Sequence, residues 1–392
     1  MHVLIIGGGI GGTALAMCLE KSGIDYTLFE QAPVLRDTGT GIGMWANGIG
    51  VLDYYGLGDE VREMADSIEF AQILNDRGDV LNRVDLKKNM RLPVSDHHLV
   101  RRLALHDLLV RQIDTAKVRM NSKLEDWTTT PEGKVVAIFS DGHRATGDLL
   151  VGCDGIRSAV RNKLWGPRKL RFCGPGWRGI APIKAPAKSL NIEIQGRDGR
   201  RFGYCPIDEK TTYWWATHTG SSGQAIAPED RQTIVRNEFA DWDPYIVELI
   251  EATDQQDIYY NDMLDMEPLD TWSRGPITLL GDAAHPTTPN MAQGGNMAVE
   301  EAGLLTQLLL RYDDLGEVLR IYDALRVPRA KMIVTYSRLW GAMGAWRSRL
   351  ACIARELIIK ITPNRVYANT QRKMSVWSID SELRRAEKLR AA

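Results

Sequence analysis

Short aliphatic runs alternate with stretches of helical periodicity along this chain, and glycines mark many of the joins. Val3-Leu4-Ile5-Ile6 is apolar at four successive positions, the pattern of a strand buried on both faces. It runs into Gly7-Gly8-Gly9-Ile10-Gly11-Gly12, after which Leu15, Cys18 and Leu19 keep helical spacing up to Gly23. A second strand is predicted at 26–29 and ends in Glu30. Residues 148–161 (DLLVGCDGIRSAVR) predict a buried strand, a turn at Asp154-Gly155 and a helix from near Ser158. Residues 277–285 (ITLLGDAAH) predict another strand leading into Gly281-Asp282, then a turn at 293–296 and a helix over 297–312. Between these units the period shortens to two: 172–183, 189–195, 202–206 and 211–219 read as short strands of an antiparallel sheet, with further strands possible in 81–94.

The opening glycines carry the first chemistry. Gly7, Gly9 and Gly12 hold the G-x-G-x-x-G positions in a strand-to-helix turn, where missing side chains let backbone approach a pyrophosphate at the helix N-terminus. Glu30 closes the second strand, where a carboxylate can accept from an adenosine ribose and would repel a 2′-phosphate. FAD and NAD both satisfy this pattern. A carboxylate at Asp282 can accept from a ribityl hydroxyl, and the following helix N-terminus presents N–H groups to an anionic flavin edge. The second glycine cluster, 39–43, follows no strand and is read as a loop.

Composition narrows the class. The chain has 392 residues, 44% hydrophobic and 25% charged, with net charge −1, which excludes a disordered chain and a globally basic nucleic-acid binder. Its five cysteines are scattered, forming no disulfide or zinc pattern, and a reducing cytoplasm fits them; the N-terminal apolar run is too short for a signal peptide. Charge is uneven: residues 331–392 hold 13 Lys and Arg against 4 Asp and Glu, so a basic tail follows an acidic body. In that tail Leu339, Met343, Trp346, Leu350, Ile353, Leu357 and Ile361 form an amphipathic stripe stopped by Pro363. Packing of the stripe on the body is the expected use; a membrane surface or another copy of the chain is the alternative.

Taken together, GGGIGG at 7–12 with Glu30, GIGMWANG at 41–48, Arg102 in VRRLAL, CDGIRSAVR at 153–161, WRG at 177–179 and GDAAHPTTPNMAQGGNMAVEEA at 281–302 carry a resemblance. The chain resembles the single-component FAD-dependent aromatic hydroxylases of the p-hydroxybenzoate hydroxylase type, in a urate-hydroxylase-like or zeaxanthin-epoxidase-like branch. That resemblance implies an α/β fold: a Rossmann-type FAD-binding domain (1–75, 100–170 and 270–335), an inserted antiparallel substrate domain (76–99 and 171–269) and a C-terminal helical segment (336–392). It implies monooxygenation of an aromatic or alkene small molecule with O2 and transient NAD(P)H, through a flavin C4a-hydroperoxide. An FAD-dependent reductase of a polyprenyl substrate shares the motifs and is the alternative. No nucleic-acid partner and no metal are expected.

By the same resemblance the cofactor contacts are Gly7, Gly9, Ile10, Gly11, Gly12, Glu30, Gly43, Arg102, Asp154, Asp282, Pro289, Gly294, Gly295 and Asn296. Two departures stand out: Ala292 occupies a usual glycine position, and Glu301 a common aspartate position, the latter read as a tolerated change. A Cβ at 292 would press on the flavin ring or hold the backbone out of positive φ, unless Ala292 has an ordinary φ and lies clear of the ring. Trp177, Arg201, Tyr204, Tyr213 and Trp215 are candidates for the substrate wall, with core packing as the competing role for each aromatic; alternation sets Tyr213 and Trp215 on one face and Trp214 on the other. No catalytic acid or base is identified. His285 is read as shaping its turn, and His97-His98 as no metal pair.

Overall fold

The computed structural model describes residues 1–35, 39–90 and 96–391, with backbone alone at 89 and 90. Two sheets organise it. The first is parallel, in the order Ile277–Leu279, Leu149–Gly152, His2–Ile6, Asp25–Phe29, Val118–Arg119. Its central strands are covered on both faces, which is why they read as unbroken aliphatic runs. The helix Ile10–Lys21 packs against the helix Gly294–Arg311 beside this sheet, giving the Rossmann-type architecture.

The second sheet has seven strands, in the order Tyr259–Met266, Leu170–Ala181, Thr212–Thr217, Arg201–Pro206, Leu190–Gln195, Phe70–Asn75, Val80–Asp85. Neighbours run antiparallel except Leu190–Gln195 with Phe70–Asn75. The strand Phe70–Asn75, expected on the flavin side of a boundary at 75, thus belongs to this sheet. Of the stretch 81–94, Val80–Asp85 is a strand, and 91–94 lies outside the described residues. One face of the sheet is closed by the helices Pro228–Glu238 and Pro244–Ala252, through a core containing Trp177, Phe202, Trp214, Phe239 and Leu249.

Local differences have simple causes. Residues 41–44 form a strand, not a loop, because Gly41–Met44 pairs antiparallel with His98–Arg101, a partner far along the chain. The helix expected from 297 begins at Gly294, since two glycines at its N-terminus do not prevent helical hydrogen bonding. The tail stripe is not one helix: Leu315–Gly344 ends, and Arg349–Ile361 starts anew after a break. Two more helices, Asn364–Ser375 and Ile379–Ala391, follow.

Candidate functional site

A cavity of about 1190 Å³ lies between the sheets. One end is built by the glycine turn. Gly7 has φ +105°, and a Cβ there would sit 2.5 Å from the Cys153 carbonyl oxygen; a Cβ on Gly12 would fall 1.9 Å from the Gly7 oxygen. These two glycines are needed for backbone-to-backbone packing, and only Gly9, Ile10 and Gly11 of the motif reach the cavity. Gly9 meets open space there. His106 Nε2 lies 2.8 Å from the Gly8 oxygen and braces the turn from below. Glu30 stands outside the cavity wall, its carboxylate accepting from the N–H groups of Gly8 (2.7 Å) and Ala32 (2.8 Å). Each carboxylate oxygen keeps further acceptor capacity.

At the other side of that end, Asp282 opens into the cavity. Surrounding protein pushes its carboxyl above the usual range, with Glu301 adding to the effect while His285, Arg102 and Arg161 oppose it. Arg102 lines the cavity and its N–H donates to Thr40 (2.7 Å). Pro289, Gly294, Gly295 and Gly43 line it as well, and the first N–H groups of the helix Gly294–Arg311 face that space without intrahelical partners. Ala292 has φ +49° and ψ 34°, the left-handed region, and it borders the cavity. The φ that only glycine enters freely is therefore adopted by an alanine.

Two expected contact residues turn elsewhere. Asp154 does not line the cavity: its Oδ2 accepts from the N–H groups of Ala159 (2.7 Å) and Val160 (3.1 Å), capping a helix start. Asn296 is a clasp, with Nδ2 donating to the Gly43 and Ala292 oxygens (both 2.8 Å) and Oδ1 accepting from the Trp45 N–H (2.9 Å). It fixes Gly43 and Ala292 relative to each other.

Beneath the turn lies a buried ionic network. Arg326 donates to Glu300 (2.7 Å) and Glu301 (3.0 Å), all three fully buried. Glu301 also accepts from the Gly281 N–H (2.8 Å) and pairs with His285 at 2.8 Å. His285 is thus a turn brace outside the cavity.

The seven-stranded sheet forms the opposite wall. Tyr213 and Trp215 line the cavity, while Trp214 is fully buried in the core behind the sheet. Tyr204 is a correction: alternation along Arg201–Pro206 sends Arg201 and Cys205 into the cavity and packs Tyr204 behind it, against Tyr245. Trp177 borders the cavity but is fully buried, and its indole N–H donates to Glu238 (3.0 Å). Arg201 is buried and engaged with Asn290 Oδ1 (2.8 Å), Thr217 Oγ1 (3.2 Å) and Glu193 (3.4 Å).

Glu193 and His97 were not among the expected site residues. Glu193 lines the cavity and accepts from the Trp340 indole (3.1 Å); burial raises its carboxyl despite the Arg201 charge. Its strand alternates apolar and polar residues, a pattern that ordinarily marks a water-facing side. His97 lines the cavity, buried, with neither ring nitrogen hydrogen-bonded among the described residues, and meets Trp45 edge-on at 4.2 Å. Burial lowers its pKa to about 3.

Comparison with known proteins matches this architecture. Residues 1–337 match the family described as FAD binding domain. The chain belongs to that family. It is 36% identical to the aurachin C monooxygenase/isomerase of Stigmatella aurantiaca, covering 95% of this chain and 98% of that one. It is 30% identical to the 2-heptyl-3-hydroxy-4(1H)-quinolone synthase of Pseudomonas aeruginosa, covering 93% and 95%. Klebsiella pneumoniae HpxO, solved with FAD and uric acid, superposes with TM-score 0.88 at 26% identity over 96% of this chain and 97% of that one. The protein is accordingly an FAD-dependent monooxygenase, and prenyl reduction finds no support among these relatives.

Proposed function

We propose that this monooxygenase oxygenates a planar heteroaromatic ring that carries an apolar chain. The carrying observation is that the cavity has two unlike ends. One holds glycine backbone, Asp282 and a helix N-terminus; the other is an arm whose aliphatic groups, Ala71, Ile73 and Val84 on one side and Ile358 and Val366 with Tyr367 from the C-terminal helices on the other, suit an apolar chain, with Asn82, Asn191 and Glu193 as the polar groups of the same wall. Relatives named for aurachin C and for a heptyl-quinolone point the same way.

The polar end fits FAD. Backbone at Gly9, Ile10 and Gly11 would accommodate the pyrophosphate, with Gly7 and Gly12 allowing the tight turn that presents it, Glu30 would take the ribose, and Arg102 and Asp282 the phosphate and ribityl region. Gly43, Pro289, Gly294 and Gly295 would lie along the ring, with Asn296 holding their backbone and Asp154 acting through the helix it caps. The chemistry supplied there by bound FAD would be acceptance of a hydride from NAD(P)H and activation of O2. The chain's own part is positional: N–H groups at 294–295 stabilise negative charge on the ring's edge, and Tyr213 and Trp215 hold a flat substrate and exclude water. His97, neutral at working pH, offers one ring N–H donor and one acceptor to substrate polar atoms. Five free thiols fit a reducing, cytoplasmic setting.

The test is substrate-dependent NAD(P)H oxidation with a series of 4-quinolones of increasing 2-alkyl length, alongside urate, with mass detection of a product one oxygen heavier. Burying each methylene contributes about 0.8 kcal/mol, so kcat/KM should rise roughly threefold to fourfold per carbon until the arm is full. Preference for urate, or indifference to chain length, would overturn the proposal.

A further inference from the structure

Beyond residue 337, where the family match ends, one helix is built inside out. In Arg349–Ile361 the inward residues are Cys352, Arg355, Glu356 and Ile359. Arg355 donates to the carbonyls of Gly344 (3.1 Å) and Gly196 (2.7 Å), and Glu356 pairs with Arg197 at 2.8 Å, so polar bonds hold the helix to the body. The apolar stripe Leu350, Ile353, Leu357, Ile358 and Ile361 faces out, with Leu350 79%, Leu357 56% and Ile361 66% exposed. Packing of the stripe on the body, the use expected from its periodicity, is therefore not what the structure has. Trp346 and Val366 extend the exposed apolar surface at either end.

We propose that this face docks on a lipid bilayer rich in anionic headgroups. From 346 to 366 every exposed charged residue is basic: Arg347, Arg349, Lys360 and Arg365. The one acid of the stretch, Glu356, is turned inward, and the neighbouring Asp79 is paired with Arg77 at 3.1 Å. A short helix with an outward aliphatic face and flanking Lys and Arg matches what lies in a membrane interface, with the rings and aliphatics among the acyl chains and the cations at the phosphates. Ile358, Thr362 and Val366 also line the cavity, so the docked face carries the cavity mouth at the lipid boundary. The docking holds whatever the substrate is.

Flotation of the full-length FAD-loaded protein with vesicles of phosphatidylcholine, with and without phosphatidylglycerol, tests it. The protein should float with the anionic vesicles only, release at high salt, and lose about tenfold or more of its partitioning in the triple variant Leu350→Ser/Leu357→Ser/Ile361→Ser. The Arg347→Glu/Lys360→Glu variant should also fail to float, while FAD content and the urea midpoint stay at the parent's values in both, because the altered side chains touch solvent. Equal flotation of parent and triple variant would overturn the proposal. So would failure of the parent to float, whether it sediments as a monomer or as a dimer that the triple variant dissociates, the second result assigning the face to another copy of the chain.

Discussion

Ala292 holds φ +49° where a Cβ costs about 1 kcal/mol, and its side chain borders the cavity beside Gly43. Ala292→Gly relieves that strain but frees the unfolded chain by a similar amount, so stability should change by less than about 1 kcal/mol. The turn itself loosens, and stopped-flow reduction of bound FAD by NAD(P)H, or hydrogen peroxide released without substrate, should change severalfold; rates equal to the parent's would remove Ala292 from the site. Asp282 and Glu30 separate in another way. Asp282→Ala should weaken FAD retention ten- to a hundredfold, the loss of about 1.5–3 kcal/mol of charge-assisted bonding, with little change in the stability of the FAD-free protein, since its side chain is exposed to the cavity. Glu30→Ala should lower both FAD retention and FAD-free stability, because it releases the Gly8 and Ala32 amides; FAD content after dialysis and urea midpoints check each. His97 gives a pH signature. Folded, its ring stays neutral down to about pH 3, whereas in the unfolded chain it protonates near pH 6.5. Between those values the unfolded state binds the extra proton, so acidification favours unfolding, by roughly 2 kcal/mol from pH 7 to pH 5. His97→Gln should lose that much less stability over the same interval in urea titrations. Residues set by a motif, such as Gly9 or Asp282, were legible in the sequence. Glu193 was not, since nothing local distinguishes a strand face roofed by a distant helix from one that meets water, and His97 was not, since it precedes the strand His98–Arg101 and is covered by Trp45 from far along the chain.

At the scale of elements, periodicity located the glycine turn, four strands of the parallel sheet and five of the larger sheet to within a few residues, because each of those patterns is decided by its own neighbours; Val118–Arg119, Phe70–Asn75, Tyr259–Met266 and the three-stranded sheet of Leu124–Thr129, Val135–Phe139 and Arg144–Gly147 were not read from it. It failed where the partner is remote. The strand Gly41–Met44 exists through pairing with His98–Arg101, and the helix Pro228–Glu238 behind the larger sheet has a mostly polar sequence. The tail stripe kept its spacing across the break at Ala345, and amphipathicity alone does not state which side faces in. The helix Gly294–Arg311 shows the same limit in its consecutive acids. Glu301, read as a tolerated replacement for aspartate, joins the Gly281 N–H, His285 and Arg326 in one buried cluster. Glu301→Asp retracts the carboxylate by one methylene and should destabilise by about 1–3 kcal/mol, as a buried amide or cation loses its acceptor. Arg326→Met leaves Glu301 with His285 as its remaining side-chain partner, while Glu300 keeps Arg329 at 2.5 Å, and should cost about 3 kcal/mol. Thermal midpoints of the FAD-free proteins measure both, and near-parent values for Arg326→Met would mean the network relaxes freely.

Across the whole molecule, the cavity is a joint product of three layers: the parallel sheet contributes the glycine turn, the larger sheet the aromatic wall, and the C-terminal helices the roof of the aliphatic arm. No helix among the described residues is long and apolar enough to cross a membrane. Ala71 on the strand Phe70–Asn75 pairs with Val84 on Val80–Asp85, and both residues line the cavity. The helices Arg349–Ile361 and Asn364–Ser375 pack over that second strand. Ala71→Leu adds three carbons to the wall at this point, in a position that is only partly buried, so the fold should tolerate it at under about 1.5 kcal/mol. The added carbons occupy space that the substrate chain would use. In the quinolone series the optimum should therefore move to chains shorter by about three methylenes, with the longest substrates losing roughly tenfold or more in kcat/KM and the chain-free ring unaffected. An unchanged length optimum in Ala71→Leu would place the substrate chain elsewhere in the cavity. A loss of activity that is uniform across the series would instead mean the substitution disturbs the ring's seat near Tyr213 and Trp215.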